Sequence, residues 1–187
     1  MIFKPKNITF QDVFENDFLF TYMPIPKDYV DYIFNLPLDP NDHGEEIENK
    51  IHRFNFEAEL NTKHLLKNLP VDDKIKEDLM SFEYGLDKYK QGDWMPMHSD
   101  NGRIYPYELV FWLSKDDDAF IGRDFLMKTP YYEASMRPKT GLFCFVNNVK
   151  PLDVVHGVSP LLNDVPVVTV FGTLGGRQYD RRLRKDS

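Results

Sequence analysis

The stretch Tyr89-Lys90-Gln91-Gly92-Asp93-Trp94-Met95-Pro96-Met97-His98-Ser99-Asp100 decides how this chain is read. A strand-like run, a Gly turn and a second short strand deliver His98 to the start of the polar loop Ser99-Asp100-Asn101-Gly102-Arg103. Side chains two positions apart on extended backbone leave the same face, so His98 and Asp100 form two-thirds of a metal site. The remaining ligand must come from far along the chain, and the one downstream histidine is His156, in Val154-Val155-His156-Gly157-Val158. If the three converge, they make a facial two-histidine, one-carboxylate set, which leaves coordination positions open for oxygen chemistry on iron(II).

The spacing alone is weak evidence in a chain with five histidines and 30 acidic residues, and His43-Gly44-Glu45 repeats it. That second instance lies in a Pro/Asn/Gly loop with no strand leading in, and we read it as surface. His52 and His64 have no acid two residues on and read as ordinary surface or half-buried histidines.

At 187 residues the chain fits a single domain, 1–187, large enough to bury a core without staples. A net charge of -7 argues against general nucleic-acid binding, which needs a basic surface. The lone Cys144 sits in the apolar run Leu142-Phe143-Cys144-Phe145-Val146 and reads as a core thiol in a reducing compartment. The start lacks a signal-peptide core and no apolar run approaches the ~20 residues of a membrane span, so a cytoplasmic protein is expected.

Residues 1–82 read as a mixed α+β support. Asp17–Tyr22 is strand-like, and Lys27–Leu36 is helical because Tyr29, Val30, Ile33 and Phe34 share a face, with Pro37 stopping it. Ile51–Phe56 alternates as a strand does, and a second helix starts after Asp72 as N-cap with Ile75, Leu79 and Phe82 inward. Over 83–172 the texture changes to short β runs near 84–89, 94–98, 107–113, 123–128, 142–146, 154–158 and 167–171. Turn chemistry at 91–93, 115–118, 139–141 and 163–164 separates them. This mainly β pattern indicates a sandwich or barrel, a jelly roll being one such solution, with the helices on one face of the larger sheet. The basic tail, 173–187, reads as a solvated terminus.

Several ordered motifs then resemble one family. Tyr89-x-x-Gly92-x-x-x-x-x-His98-x-Asp100 resembles the first signature of the prolyl 4-hydroxylase-like iron(II)/2-oxoglutarate dioxygenases. The segments Tyr107–Ser114, Gly122–Met127, Pro138–Phe145 and His156–Leu161 resemble the family's later strands in the same order. The resemblance implies a double-stranded β-helix with supporting N-terminal helices, and iron(II) held by His98, Asp100 and His156. It further implies 2-oxoglutarate as cosubstrate and dioxygen as oxidant, with a ferryl species hydroxylating a C–H bond of a prolyl or other amino-acid, peptide or small-molecule substrate.

The pattern departs in one place. The family's basic residue about ten positions beyond the distal histidine is missing from Asn163-Asp164-Val165-Pro166-Val167-Val168-Thr169. Arg123 is the preferred substitute, because related hydroxylases project a lysine from the matching strand, with hydroxyl contacts from Tyr89 and Thr169; Lys115 and Arg177 are held in reserve. Asn101, Arg103, Tyr105, Tyr107, Trp112 and Tyr131-Tyr132 are placed where they could border the mouth of the site. Two other readings stay open: a non-catalytic β-helix binding module, and a cupin-like metal enzyme that does not use 2-oxoglutarate. Oligomeric state is not legible.

Overall fold

The computed structural model describes residues 2–37, 51–99, 107–147 and 154–174. The elements run β1 (Ile2–Phe3), α1 (Phe10–Glu15), β2 (Phe18–Tyr22), α2 (Lys27–Asn35), β3 (Ile51–Arg53), α3 (Phe56–Leu66) and α4 (Asp73–Ser81). They continue with β4 (Phe82–Tyr89), β5 (Met95–His98), β6 (Tyr107–Ser114), β7 (Phe125–Lys128), β8 (Glu133–Met136), β9 (Leu142–Asn147), β10 (Val155–Val158) and β11 (Val167–Leu174).

Two sheets result, ordered β1-β2-β9-β6-β11-β4-β3 and β5-β10-β7-β8 among the described residues. From β4 onward the chain crosses between them almost strand by strand: β4, β6, β9 and β11 belong to the larger sheet, β5, β7, β8 and β10 to the smaller. That winding is a double-stranded β-helix, and its ladders are antiparallel; among the described strands, β1 pairs in parallel with β2 at the edge.

The alternation of side chains along the large sheet separates two cores. On β6, Tyr107, Leu109, Phe111 and Leu113 face the helices, while Val110 and Trp112 face the smaller sheet. On β9, Phe143 and Phe145 take the first side, Cys144 and Val146 the second. All eight residues of β6 are buried, as a central strand covered on both faces must be. Each such aliphatic or aromatic side chain contributes ~1.5–3 kcal/mol relative to exposure, so the two cores can support polar residues held inside for another purpose.

The helices dock where their apolar faces require. Tyr29, Val30 and Ile33 of α2 and Ile75 and Leu79 of α4 are buried, and Asp72 caps α4 by accepting from the Ile75 N–H at 2.9 Å. Phe82 is buried as expected, though as the first residue of β4 and not the last turn of α4.

Other expectations need correction. The alternating run 51–56 is a strand only over Ile51–Arg53; Phe56 opens α3, whose N-cap Asn55 accepts from the Ala58 N–H. Phe56 is 84% and Leu60 49% exposed, so apolar residues on the outer face of α3 hide its helical period. Short α1 was also not anticipated; it stands on a capping box in which Thr9 and Asp12 satisfy each other's backbone. Edge strand β1 has only two residues, and edge strand β8, Glu133-Ala134-Ser135-Met136, lacks the β-branched and aromatic residues that mark a strand. The loop around His43, the tail beyond 174, and Asp100, Asn101, Arg103 and Tyr105 lie outside the described residues.

Candidate functional site

The smaller sheet pairs the two histidines directly. His98 on β5 and His156 on β10 are Cα partners across the antiparallel ladder, with ring centroids 4.5 Å apart and planes tilted by 55°. A register shift between His156 and Val158 breaks the ladder there, and bulges of this kind re-aim side chains. Gly157 allows the close approach: a Cβ at that position would lie 2.8 Å from the Met95 carbonyl oxygen.

Each ring is oriented by its surroundings. The His98 Nδ1 lies 2.9 Å from the Pro96 carbonyl oxygen, which can only accept, so Nδ1 is the donor of this pair and Nε2 is the ring nitrogen suited to a metal. His156 is buried, with its ring against Phe18 and Phe125 at centroid separations of 6.5 and 5.7 Å. Two oriented nitrogen donors walled by aromatic rings suit iron(II) or a similar divalent ion. The expected third ligand, Asp100, lies two residues beyond His98 and outside the described residues.

A second polar cluster occupies the same space between the sheets. Asp87 on β4, Thr169 on β11 and Trp112 on β6 are register partners across three adjacent strands, so they share one face; Tyr89 follows Asp87 on that face. Arg123 reaches them from the segment before β7. Its Nη2 donates to Thr169 Oγ1 at 2.5 Å, and its guanidinium carbon sits 3.0 Å from the centre of the Tyr89 ring. The Tyr89 hydroxyl donates to Asp87 Oδ2 at 3.2 Å. Trp112 and His156 both pack on the Phe125 ring, at centroid separations of 5.1 and 5.7 Å, which connects this cluster to the histidine pair.

Four buried polar atoms of this cluster have no hydrogen-bond partner among the described residues: Arg123 Nε and Nη1, Trp112 Nε1 and Asp87 Oδ1. Three are donors. Leaving such groups unsatisfied costs on the order of 1–3 kcal/mol each, and more when charged, so their clustering points to a ligand that completes them. A carboxylate fits the donor set, since its oxygens can accept charge-assisted hydrogen bonds from a guanidinium and a further one from an indole N–H.

Asp87 adds a further cost. Burial pushes its carboxyl up to about 6, against the opposing effects of Arg123 and the Tyr89 hydrogen bond. Because the folded value lies above the unfolded one, the folded state binds this proton more tightly. Stability is therefore lost as pH rises from about 4 through about 6, on the order of 3 kcal/mol once complete. Such a penalty, carried beside an arginine that burial also opposes, belongs to function more than to folding.

Arg123 was expected to open a strand. Instead it precedes β7, with φ 65° directly after Gly122 at φ 80°, and is fully buried. Its N–H donates to the Pro160 carbonyl at 3.1 Å, and Ile121 and Asp124 carbonyls accept from Leu162 and Ser159 N–H groups. The turn carrying Arg123 is thus zipped to the segment that leaves β10 just after His156. At Gly122 a Cβ would lie 2.1 Å from the Pro160 carbonyl oxygen. We expect Gly122→Ala to destabilise the fold by about 2–4 kcal/mol in urea denaturation, from backbone strain plus the clash. A loss below about 0.5 kcal/mol would show that the turn relaxes freely.

Among the other candidates, Lys115 is 50% exposed and 3.9 Å from Asp31, which places it on the surface, and Arg177 lies outside the described residues. Tyr107 faces the helices and donates to Asp78 Oδ2, so it does not border the site. Trp112 lies deep between the sheets and not at a mouth, whereas Tyr131 is 89% exposed. Sequence reasoning overlooked Asp87. The signal was present in Tyr84-Gly85-Leu86-Asp87-Lys88-Tyr89, where alternation puts an acid on the inward face beside Tyr89.

No protein-family model matches this chain, and no curated protein matches it by sequence. Solved structures do match by shape. One is an oxidoreductase of the 2OG-Fe(II) oxygenase family from Burkholderia pseudomallei, with TM-score 0.61, 13% identity, and 92% of this chain and 93% of that one covered. A prolyl-4-hydroxylase from Pseudomonas putida matches with TM-score 0.60 and 16% identity over 89% of this chain and 97% of that one. A prolyl hydroxylase from Trichoplax adhaerens, in complex with a hypoxia inducible factor oxygen degradation domain peptide fragment, matches with TM-score 0.62 and 12% identity over 92% and 89%. At these identities the likeness is one of fold: the chain has the double-stranded β-helix fold that these oxygenases have.

Proposed function

We propose that this protein is an iron(II)- and 2-oxoglutarate-dependent oxygenase that hydroxylates a C–H bond of an amino-acid or peptide substrate, with a prolyl side chain as first choice. The observation that carries the reading is Arg123, fully buried, stacked on Tyr89, bonded to Thr169, and left with Nε and Nη1 unpartnered in the space the histidine pair faces. The reading treats 1–187 as a single domain, and a reducing, cytoplasmic setting suits both iron(II) and the buried thiol of Cys144.

In this mechanism His98 and His156 would hold the metal through imidazole nitrogens and Asp100 would supply the carboxylate. The Pro96 carbonyl fixes the His98 tautomer. Arg123 would receive the far carboxylate of 2-oxoglutarate on an edge that includes one of its unpartnered nitrogens, Nε or Nη1, while the Tyr89 ring and the Thr169 hydroxyl keep the guanidinium in place. Phe18, Phe125 and Met127, all buried, keep water away from the reacting atoms. Iron(II) with 2-oxoglutarate and dioxygen supplies an oxidant able to break an unactivated C–H bond, with succinate and carbon dioxide as by-products. Two of the structures similar in fold are prolyl hydroxylases, one of them solved with a peptide fragment, and this supports a peptide substrate.

One observation favours the cupin-like alternative. Asp87 stands beside Arg123, so the pocket's formal charges cancel and its attraction for an anion is weakened. A single experiment separates the readings. Iron(II) and then 2-oxoglutarate are added without oxygen, the visible metal-to-ligand charge-transfer band is recorded, and succinate is measured after oxygen is admitted. A band followed by succinate is the expected result. Metal binding with no spectral response to 2-oxoglutarate would replace this reading with the cupin-like enzyme, and failure to bind metal would replace it with a binding module.

A further inference from the structure

The carboxylate pocket already contains a carboxylate. Asp87 is 3% exposed, its Oδ1 has no partner among the described residues, and Tyr89 connects it to Arg123, donating its hydroxyl to Asp87 and stacking its ring on the guanidinium, without a direct ion pair within 4.0 Å. Among the described residues, the charged and titratable groups that act on it are Arg123, from the turn before β7, and Tyr89 on its own strand. From the neighbouring strands, β11 brings Thr169 and β6 brings Trp112, neither of which titrates, while β3 has Ile51 opposite Asp87 and Arg53 opposite Gly85. Asp93 acts on Arg123 as a weaker, more distant charge.

We propose that Asp87 is the standing counter-ion of Arg123 and that an incoming cosubstrate carboxylate replaces it by proton uptake, one solvent proton going onto Asp87 for each anion bound. This rests on the reading of the pocket as the 2-oxoglutarate anchor. With the pocket empty of anion, an ionised Asp87 offsets the buried guanidinium. A second carboxylate on the same guanidinium would leave two buried anions against one cation, and like charges a few ångström apart in a protein interior shift a proton equilibrium by on the order of two pH units. Protonation relieves this, and the neutral carboxyl then has an O–H to donate toward the bound carboxylate from Oδ1, the atom that lacks a partner. No other bond is made or broken.

The pH dependence has a definite sign. Free Asp87 ionises above about 6, so below that value it is already protonated and anion affinity is level. Above it each anion must bring a proton, and affinity falls close to tenfold per pH unit until the value of the complex is reached. The linkage makes the enzyme more receptive to its cosubstrate in an acidifying environment.

The test is calorimetric and needs no turnover. The full chain is loaded with manganese(II), and 2-oxoglutarate, whose carboxyls stay ionised throughout, is titrated in at pH 7.5 in phosphate and in Tris, buffers of different ionisation heat. The heat difference counts protons. Wild type is expected to take up about 0.7 proton per ligand and to lose about fivefold affinity between pH 7 and 8. Asp87→Asn, which keeps the volume and removes the charge, is expected to take up none, to bind independently of pH, and to bind more tightly than wild type at pH 8. Binding by wild type without proton uptake overturns the proposal and leaves the anchor reading intact, whatever the variant's stability; uptake that persists in Asp87→Asn does the same. No binding by wild type even at pH 6 overturns both.

Discussion

Arg123→Ala is expected to weaken 2-oxoglutarate binding by about two to four orders of magnitude while leaving iron(II) affinity within about twofold. The size follows from what the substitution leaves behind. Removing one partner of a buried, charge-assisted pair costs about 3–5 kcal/mol, because the remaining charge must stay desolvated without a counter-ion. Here the loss is compounded by Asp87, which would face the incoming carboxylate with no cation between them. Arg123→Lys should fall between the two, since an ammonium restores charge but neither the paired N–H groups nor the stacking on Tyr89. Titration of the charge-transfer band against 2-oxoglutarate measures both variants, with a thermal melt to establish that they fold. Wild-type affinity in Arg123→Ala would remove this residue from the anchor.

His156→Ala should abolish metal binding at working concentrations, with a loss beyond the ~10–100-fold that follows removal of a mere outer-shell partner, and succinate production should fall with it. The same substitution should cost about 2–4 kcal/mol of stability, because the ring fills space against Phe18 and Phe125. His98→Ala serves as the internal control. His98 is only half-buried at the edge of the smaller sheet, so it should lose metal comparably and stability much less. Metal content after dialysis, set beside denaturation curves, separates the two effects. Full metal occupancy in His156→Ala would exclude the histidine pair as the metal centre.

Much of the β-helix was legible because its signals are local. Tyr107–Ser114 and Leu142–Asn147 announce themselves as buried strands by continuous apolar composition bounded by turn residues. Asp72 marks α4 by its capping chemistry alone. Where local signals conflict, the reading failed. Helix α3 carries exposed Phe56 and Leu60 on its outer face, and Arg123 was assigned to a strand although it follows a glycine in the left-handed region and shares that conformation.

The sequence by itself determined the succession of strands and turns, the motif that puts an imidazole at the end of the second of them, and a short set of residues from which a site could be built. Period-two alternation and turn propensity act within a few residues, so they can be read along the chain. Tertiary structure alone decided that His98 and His156 meet across one ladder, that Arg123 is buried against Tyr89 and Thr169, and that Asp87 shares its pocket. Those contacts join residues far apart in the chain: His98 and His156 are 58 positions apart, and Asp87 and Thr169 are 82. They depend on how two sheets close on each other, and the burial that makes their charges costly exists only once that closure has excluded water.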